Sequence, residues 1–165
     1  MKAILKTNAS HWSALVARLA IALVVFPHGA QKLFGWFGGY GFDGTMGFFT
    51  GAMGLPWVVG LAVILIEVFG SLLLVFGAGT RVAALGMIGL FTGVVLTSHI
   101  HNGFFMNWNA TAGQGEGIEY FLLLFGLSIV SIISGGGKYS VDARLSSSNA
   151  SEKRTFNQSL KPISI

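Results

Sequence analysis

The sequence predicts an all-α fold, an integral membrane four-helix bundle with a short amphipathic segment on its outer face. Three observations lead there. The 165-residue chain is 53% apolar and only 10% charged, whereas soluble domains carry about 25% charged residues. Its mean hydropathy is +0.71. Four apolar stretches, at 12–34, 56–76, 81–98 and 118–134, approach the roughly 20 residues that cross a bilayer, and glycine, proline or aromatic clusters bound each one. This composition excludes an ordinary soluble globule. The absence of cysteine excludes a thiol–disulfide relay, a haem thioether link or a thiolate metal site within the chain.

Residues 1–11 read as a cytoplasmic lead with Lys2 and Lys6. The first span opens on Trp12, an interface anchor. Its apolar run passes any small-residue cleavage point, so it reads as a retained span. Pro27 cannot donate to the carbonyl of Leu23, and a kink is expected there. His28, Gln31 and Lys32 follow at i, i+3 and i+4, on one face. Residues 35–54 mix glycines with aromatics and methionines. Met46, Phe48, Phe49 and Met53 predict a short amphipathic helix from Gly44, lying in the interface or folded over the bundle, with a loose loop as the alternative.

The second span begins at Pro56, suited to a first helical position, beside Trp57, and its single charge is Glu67. Gly77-Ala78-Gly79 turns the chain into the third span, headed by Arg81. There Gly86, Gly89 and Gly93 form a small-residue stripe of the kind that lets helices approach closely. That span ends in His99-Ile100-His101-Asn102-Gly103. A polar loop with Asn107, Trp108, Asn109 and Glu116 leads to the fourth span, where Glu119-Tyr120 puts an acid at the favourable end of the helix dipole. Gly135-Gly136-Gly137 stops it. Residues 12–137 therefore form the domain, and 138–165, rich in Ser and Asn, read as a disordered cytoplasmic tail.

Four spans return both termini to one side. Lys2, Lys6, Arg81, Lys138 and Arg144 gather there, so the positive-inside rule makes that side cytoplasmic. The basic residues flank the apolar body rather than forming a nucleic-acid patch.

Counting depth at about 1.5 Å per residue places His28, His99 and Glu119 near one outer layer, on three different spans. These three are the candidate catalytic set. Gln31, Lys32, His101 and Tyr120 lie close by as candidate ligand-binding groups. Each has a plainer alternative: His28 bonding a carbonyl freed by Pro27, His99 and His101 as interface residues, Lys32 snorkelling outward, Glu119 as a helix-start acid. Arg18 and Glu67 are expected to pair as a buried ion pair, because an unpaired charge in a span costs about 3 kcal/mol or more. A proton path or a polar pocket floor is the alternative for these two. Imidazole, ammonium and carboxylate around an apolar slot suit a quinone ring. Two histidines on different helices are also the minimum for axial haem ligation, but no paired-His motif favours haem. No local motif supports a metal site.

Several short motifs, in this order and spacing, resemble the DoxX family of small four-span membrane proteins over about residues 12–142. They are Arg18, His28-Gly29 with Gln31-Lys32-Leu33, Gly41-Phe42-Asp43-Gly44, the span holding Glu67, Gly79-Thr80-Arg81, and Glu119-Tyr120. The resemblance implies a bacterial cytoplasmic-membrane protein with quinone-linked redox chemistry. Relatives of that kind include the small membrane subunit of an archaeal thiosulfate:quinone oxidoreductase. The expectation is a quinone-linked oxidoreductase or its membrane subunit, set in the lipid bilayer, with a soluble redox partner protein or further copies of itself as partners. The alternative is a non-enzymatic membrane module that scaffolds a redox partner or moves a small apolar molecule.

Overall fold

The structure, a computed structural model, describes residue 7 and residues 9–147. Most of the expected N-terminal lead, and the tail from 148 onward, lie outside the described residues. Among the described residues all regular structure is helical. Helix α1 is Trp12–Phe34. Helix α2 is Gly41–Gly47 and winds on, more widely, through Phe48–Ala52. Helices α3 and α4 are Trp57–Phe76 and Thr80–His99. Helix α5 is Glu119–Ser134, and α6 covers 141–147. Helices α1, α3 and α4 are each long and apolar enough to cross a membrane, and α5 is a shorter apolar helix of 16 residues.

The four long helices form a ring in chain order. α1 packs on α3, α3 on α4, α4 on α5, and α5 closes back onto α1. Ile21, Val25, Leu74, Met87, Phe91, Phe121 and Leu124 fill the centre. Large apolar side chains also point outward, with Leu23 and Ile133 each 73% exposed and Leu123 70% exposed. Apolar residues on both faces are what a bundle solvated by lipid requires.

The two ends of the ring differ. At the basic end, α3 stops in a paired-turn cap: the amide of Gly77 donates to the carbonyl of Leu74 and that of Ala78 to Leu73. Gly77 adopts φ 63°, and a Cβ there would meet Ser140 at 2.4 Å. Both facts select glycine. Residues 138–147 are folded against this end, which corrects the expectation of a disordered tail from Lys138. The reason lies in Asp142, whose carboxylate accepts from the amides of Gly79 at 2.7 Å and Thr80 at 2.9 Å and so caps the start of α4. The Arg81 guanidinium meanwhile donates to the carbonyls of Ile132 at 2.7 Å and Ile133 at 3.2 Å, at the end of α5.

At the opposite, loop end, α2 folds back over the bundle. Met46 and Phe49 bury against Ile64 of α3. The helix expected from Gly44 thus begins three residues earlier. The glycine stripe of α4 divides at this level. A Cβ on Gly86 would touch Ile66 at 3.7 Å, but one on Gly89 or Gly93 would meet nothing within 4 Å. The predicted close approach of helices therefore holds only for the lower part of the stripe, and above it α3 and α4 part.

Candidate functional site

The space left where α3 and α4 part is a cavity of about 780 Å³. That volume falls in the roughly 300–1,000 Å³ range of small-molecule sites. Its walls are mostly apolar, with Ile66 and Val94 on the bundle side, Phe48 and Phe49 from α2, and Phe91 and Phe121 opposite. Polar side chains interrupt them: His28, Lys32, Glu67, His99, Glu116 and Tyr120, with the hydroxyls of Thr97 and Ser98.

One close helix approach sets the polar wall. A Cβ on Gly29 would lie 2.8 Å from Cγ2 of Val68 and 3.0 Å from the carbonyl carbon of Glu67, so only glycine lets α1 sit this near α3. Its neighbours on α1 are thereby brought to Glu67. Lys32 Nζ lies 2.8 Å from Glu67 Oε2 and 3.0 Å from Oε1. The carboxylate is 5% exposed and the lysine 26%. His28 is close enough to act on the charge of Glu67, and so is Glu67 on Tyr120.

The facing wall is held by the loop after α4. His99 Nδ1 is 2.8 Å from the carbonyl oxygen of Glu116. A carbonyl only accepts, so Nδ1 carries a proton and Nε2 is left outside that bond. The His99 ring packs against Phe121, with centroids 4.6 Å apart and planes tilted by 57°. Asn102 donates to the same carbonyl at 3.0 Å, and the Glu116 carboxylate accepts from the amide of Asn107 at 2.6 Å. Among the described residues the ring nitrogens of His28 and the hydroxyl of Tyr120 make no hydrogen bond. The cavity thus offers one ammonium, the carboxylates of Glu67 and Glu116, and unfilled donor and acceptor positions on a phenol and two imidazoles.

This set differs from the one expected. His28, Lys32, His99 and Tyr120 line one cavity. Glu119 does not join them: its Oε1 accepts from the Trp108 indole at 2.9 Å. Successive helical residues point about 100° apart, so with Tyr120 on the cavity its neighbour faces the loop. Gln31 turns to the carbonyl of Phe37 at 3.4 Å, and His101 is exposed outside the cavity. Glu116 is an acid that sequence reasoning left out of the site, and Glu67, expected chiefly as the partner of Arg18, lines it as well. A signal for Glu67 existed in Gly29, which marks the level on α1 that a neighbouring backbone must reach.

The expected Arg18–Glu67 ion pair is also corrected. Glu67 is level with Gly29, and Arg18 lies eleven residues earlier, roughly 16 Å away along the axis. Arg18, 1% exposed, instead donates to five carbonyls. Its Nε reaches Gly136 at 3.0 Å; one terminal nitrogen reaches Leu74 at 2.6 Å and also Val75; the other reaches Lys138 at 3.2 Å and Tyr139 at 3.1 Å. Among the described residues no three His, Asp or Glu side chains converge as metal ligands.

The family model described as DoxX matches residues 13–100. The chain belongs to the DoxX family. That match takes in both halves of the polar wall, α1 with His28 and Lys32 and α3 with Glu67, and reaches His99. This DoxX chain is also similar to the Bacillus subtilis (strain 168) protein named "Putative oxidoreductase CatD", 29% identical over 110 residues, covering 67% of this chain and 71% of that protein. No solved structure matches it. It is a membrane protein of the DoxX family, with apolar helices of spanning length around a polar-walled cavity.

Proposed function

We propose that this chain is a quinone-linked oxidoreductase, or the membrane subunit of one, and that the cavity holds the quinone ring. The observation that carries the reading is the Lys32–Glu67 pair at the wall of an otherwise apolar cavity, with Nε2 of His99 available on the facing wall. A quinone takes up two electrons and two protons on becoming a quinol. Lys32 is suited to donate to one ring oxygen in place of its long 3.5 Å bond to the carbonyl of His28, because an ammonium has three donors and Glu67 occupies the other two. The imidazoles of His28 and His99 place nitrogens beside the ring that are suited to hydrogen-bond its oxygens and pass protons to them. The aromatic and aliphatic walls fit the ring faces and exclude water. The electrons would enter from a reduced soluble partner protein. The name of the B. subtilis relative supports the oxidoreductase class and says nothing of quinone. Arg81, Lys138 and Arg144 at the basic end support a bacterial inner-membrane placement with both termini cytoplasmic.

The test is binding of a benzoquinone analogue to the purified protein in nanodiscs. Wild type is expected to bind, and Lys32→Met and His99→Ala each to weaken binding about tenfold, equivalent to one lost hydrogen bond of about 1.4 kcal/mol. Equal affinity in wild type and both variants would remove the ring from this cavity. A wild type that binds quinone but accepts no electrons from any reduced partner would favour the non-enzymatic reading, a module that carries an apolar molecule.

A further inference from the structure

The cavity has a side as well as a floor. On α4 the stripe Gly86, Gly89, Gly93 runs along the face toward α3. At Gly86 the two helices are in contact through Ile66, and the neighbouring Gly70 of α3 lies 3.0 Å from Cε of Met87 by the same Cβ measure. One and two turns further, Gly89 and Gly93 face open space, and both line the cavity together with Ala62 and Val59 of α3. Gly89 and Gly93 are exposed, as is Val59 at 44%. All four residues fall within helices of membrane-spanning length. A gap there opens the cavity sideways, at bilayer depth, with a rim of bare backbone and small apolar groups.

We propose that the Gly89–Gly93 gap between α3 and α4 is a lateral mouth, taking the apolar tail of a bilayer-dissolved ligand whose polar ring sits at Lys32 and Glu67. This rests on the cavity being the ring site and adds the class of ligand: a ring bearing a long hydrocarbon or isoprenoid chain, rather than a small water-soluble quinone. Three observations converge. Access at this depth is from lipid, so the ligand must dissolve in it. The charged pair deep in the cavity calls for a polar head. Gly89 and Gly93 leave bare backbone along the part of the stripe that borders the cavity, where no helix needs their closeness. A tail lying on them buries apolar surface without displacing any protein contact.

The experiment compares a tailless benzoquinone with the same ring carrying a decyl chain, bound to the full chain in nanodiscs. Wild type should bind the decyl compound more tightly. Gly93→Leu and Gly89→Leu should each cost the decyl compound about tenfold, the worth of roughly two buried methylenes, and leave the tailless ring unchanged. Equal loss for both compounds, or loss for neither, overturns the mouth. If wild type binds neither compound, the ring site itself fails, which is a separate result. A second measurement needs no variant. A photoreactive diazirine at the end of the decyl chain should label the 59–62 or 89–93 segments of wild type, and adducts confined to other segments overturn the assignment.

Discussion

Arg18 and the Lys32–Glu67 pair are both charges held within membrane-spanning helices, yet their surroundings are opposites. Around Arg18, five N–H donors meet five backbone carbonyls, from the end of α3 and from the chain after α5. Asp142 lies near enough to oppose the charge. The helix end adds the negative pole of its dipole. No N–H donor is left over, and Arg18 does not line the cavity. At Lys32 and Glu67 the pair satisfies itself only in part, and unfilled groups on His28, His99 and Tyr120 face the same space. A buried charge whose every donor is matched by the fold serves the fold. A pair that borders a cavity with capacity to spare is where a ligand can enter.

The largest effect should come from breaking the matched site. Arg18→Leu leaves five carbonyls without donors and is expected to lower stability by roughly 3–5 kcal/mol, the range for breaking a buried polar network. Thermal unfolding of the detergent-solubilised protein measures it. Arg18→Lys should recover little, since a point ammonium cannot span five carbonyls fanned over two segments. A lysine variant as stable as wild type would show that charge alone, rather than the guanidinium fork, is what this end requires.

The second prediction concerns the pair itself. Lys32→Met alone strands a carboxylate that is almost fully buried and should cost about 3 kcal/mol. Adding Glu67→Gln should restore most of that stability, because a neutral amide tolerates the same apolar wall. Ring binding should stay weakened in the double variant. Restored stability without restored binding separates what the pair does for the ligand from what it does for the fold. If the double variant is no more stable than the single, Glu67 is not the source of the strain.

The sequence made one half of this contrast readable and hid the other. The spans, their glycine ends and the polar ring at the loop end follow from apolar runs and local motifs, which need no knowledge of helix register. Partners across helices do need it. Depth counted from each span's own end set Arg18 beside Glu67, but the contact at Gly29 fixes α1 against α3 so that Glu67 meets Lys32 instead. Similarly, Glu119 and Tyr120 are adjacent in sequence, and only the rotation of α5 decides which of them sees the cavity. The closing of residues 138–147 under the bundle rests on Asp142 reaching the amides of Gly79 and Thr80. That is a contact across more than sixty residues, with no local signature.

Asp142→Ala tests that closure at smaller scale. It removes the cap on α4 and should cost about 1–2 kcal/mol, the worth of an N-terminal cap. Limited proteolysis should then cut near 138–147 sooner than in wild type, with ring affinity unchanged because the cavity is at the other end. Unaltered stability and cleavage would mean that Arg18 alone secures this segment.

The smallest effect is expected at Glu119, and it bears directly on which acid belongs to the cavity. Glu119→Ala removes the acceptor of the Trp108 indole, a bond on an exposed loop, and should cost no more than about 0.5–1 kcal/mol. The emission of Trp108 should change as its indole loses that partner, which a Trp108→Phe control would identify. Ring affinity should match wild type, whereas Glu67→Gln, although milder chemically, should weaken it. The reverse pattern, with binding lost at Glu119 and kept at Glu67, would return the acid of the site to the first turn of α5. The cavity would then have to extend past Tyr120 into the loop, and the Lys32–Glu67 pair would join Arg18 as part of the scaffold.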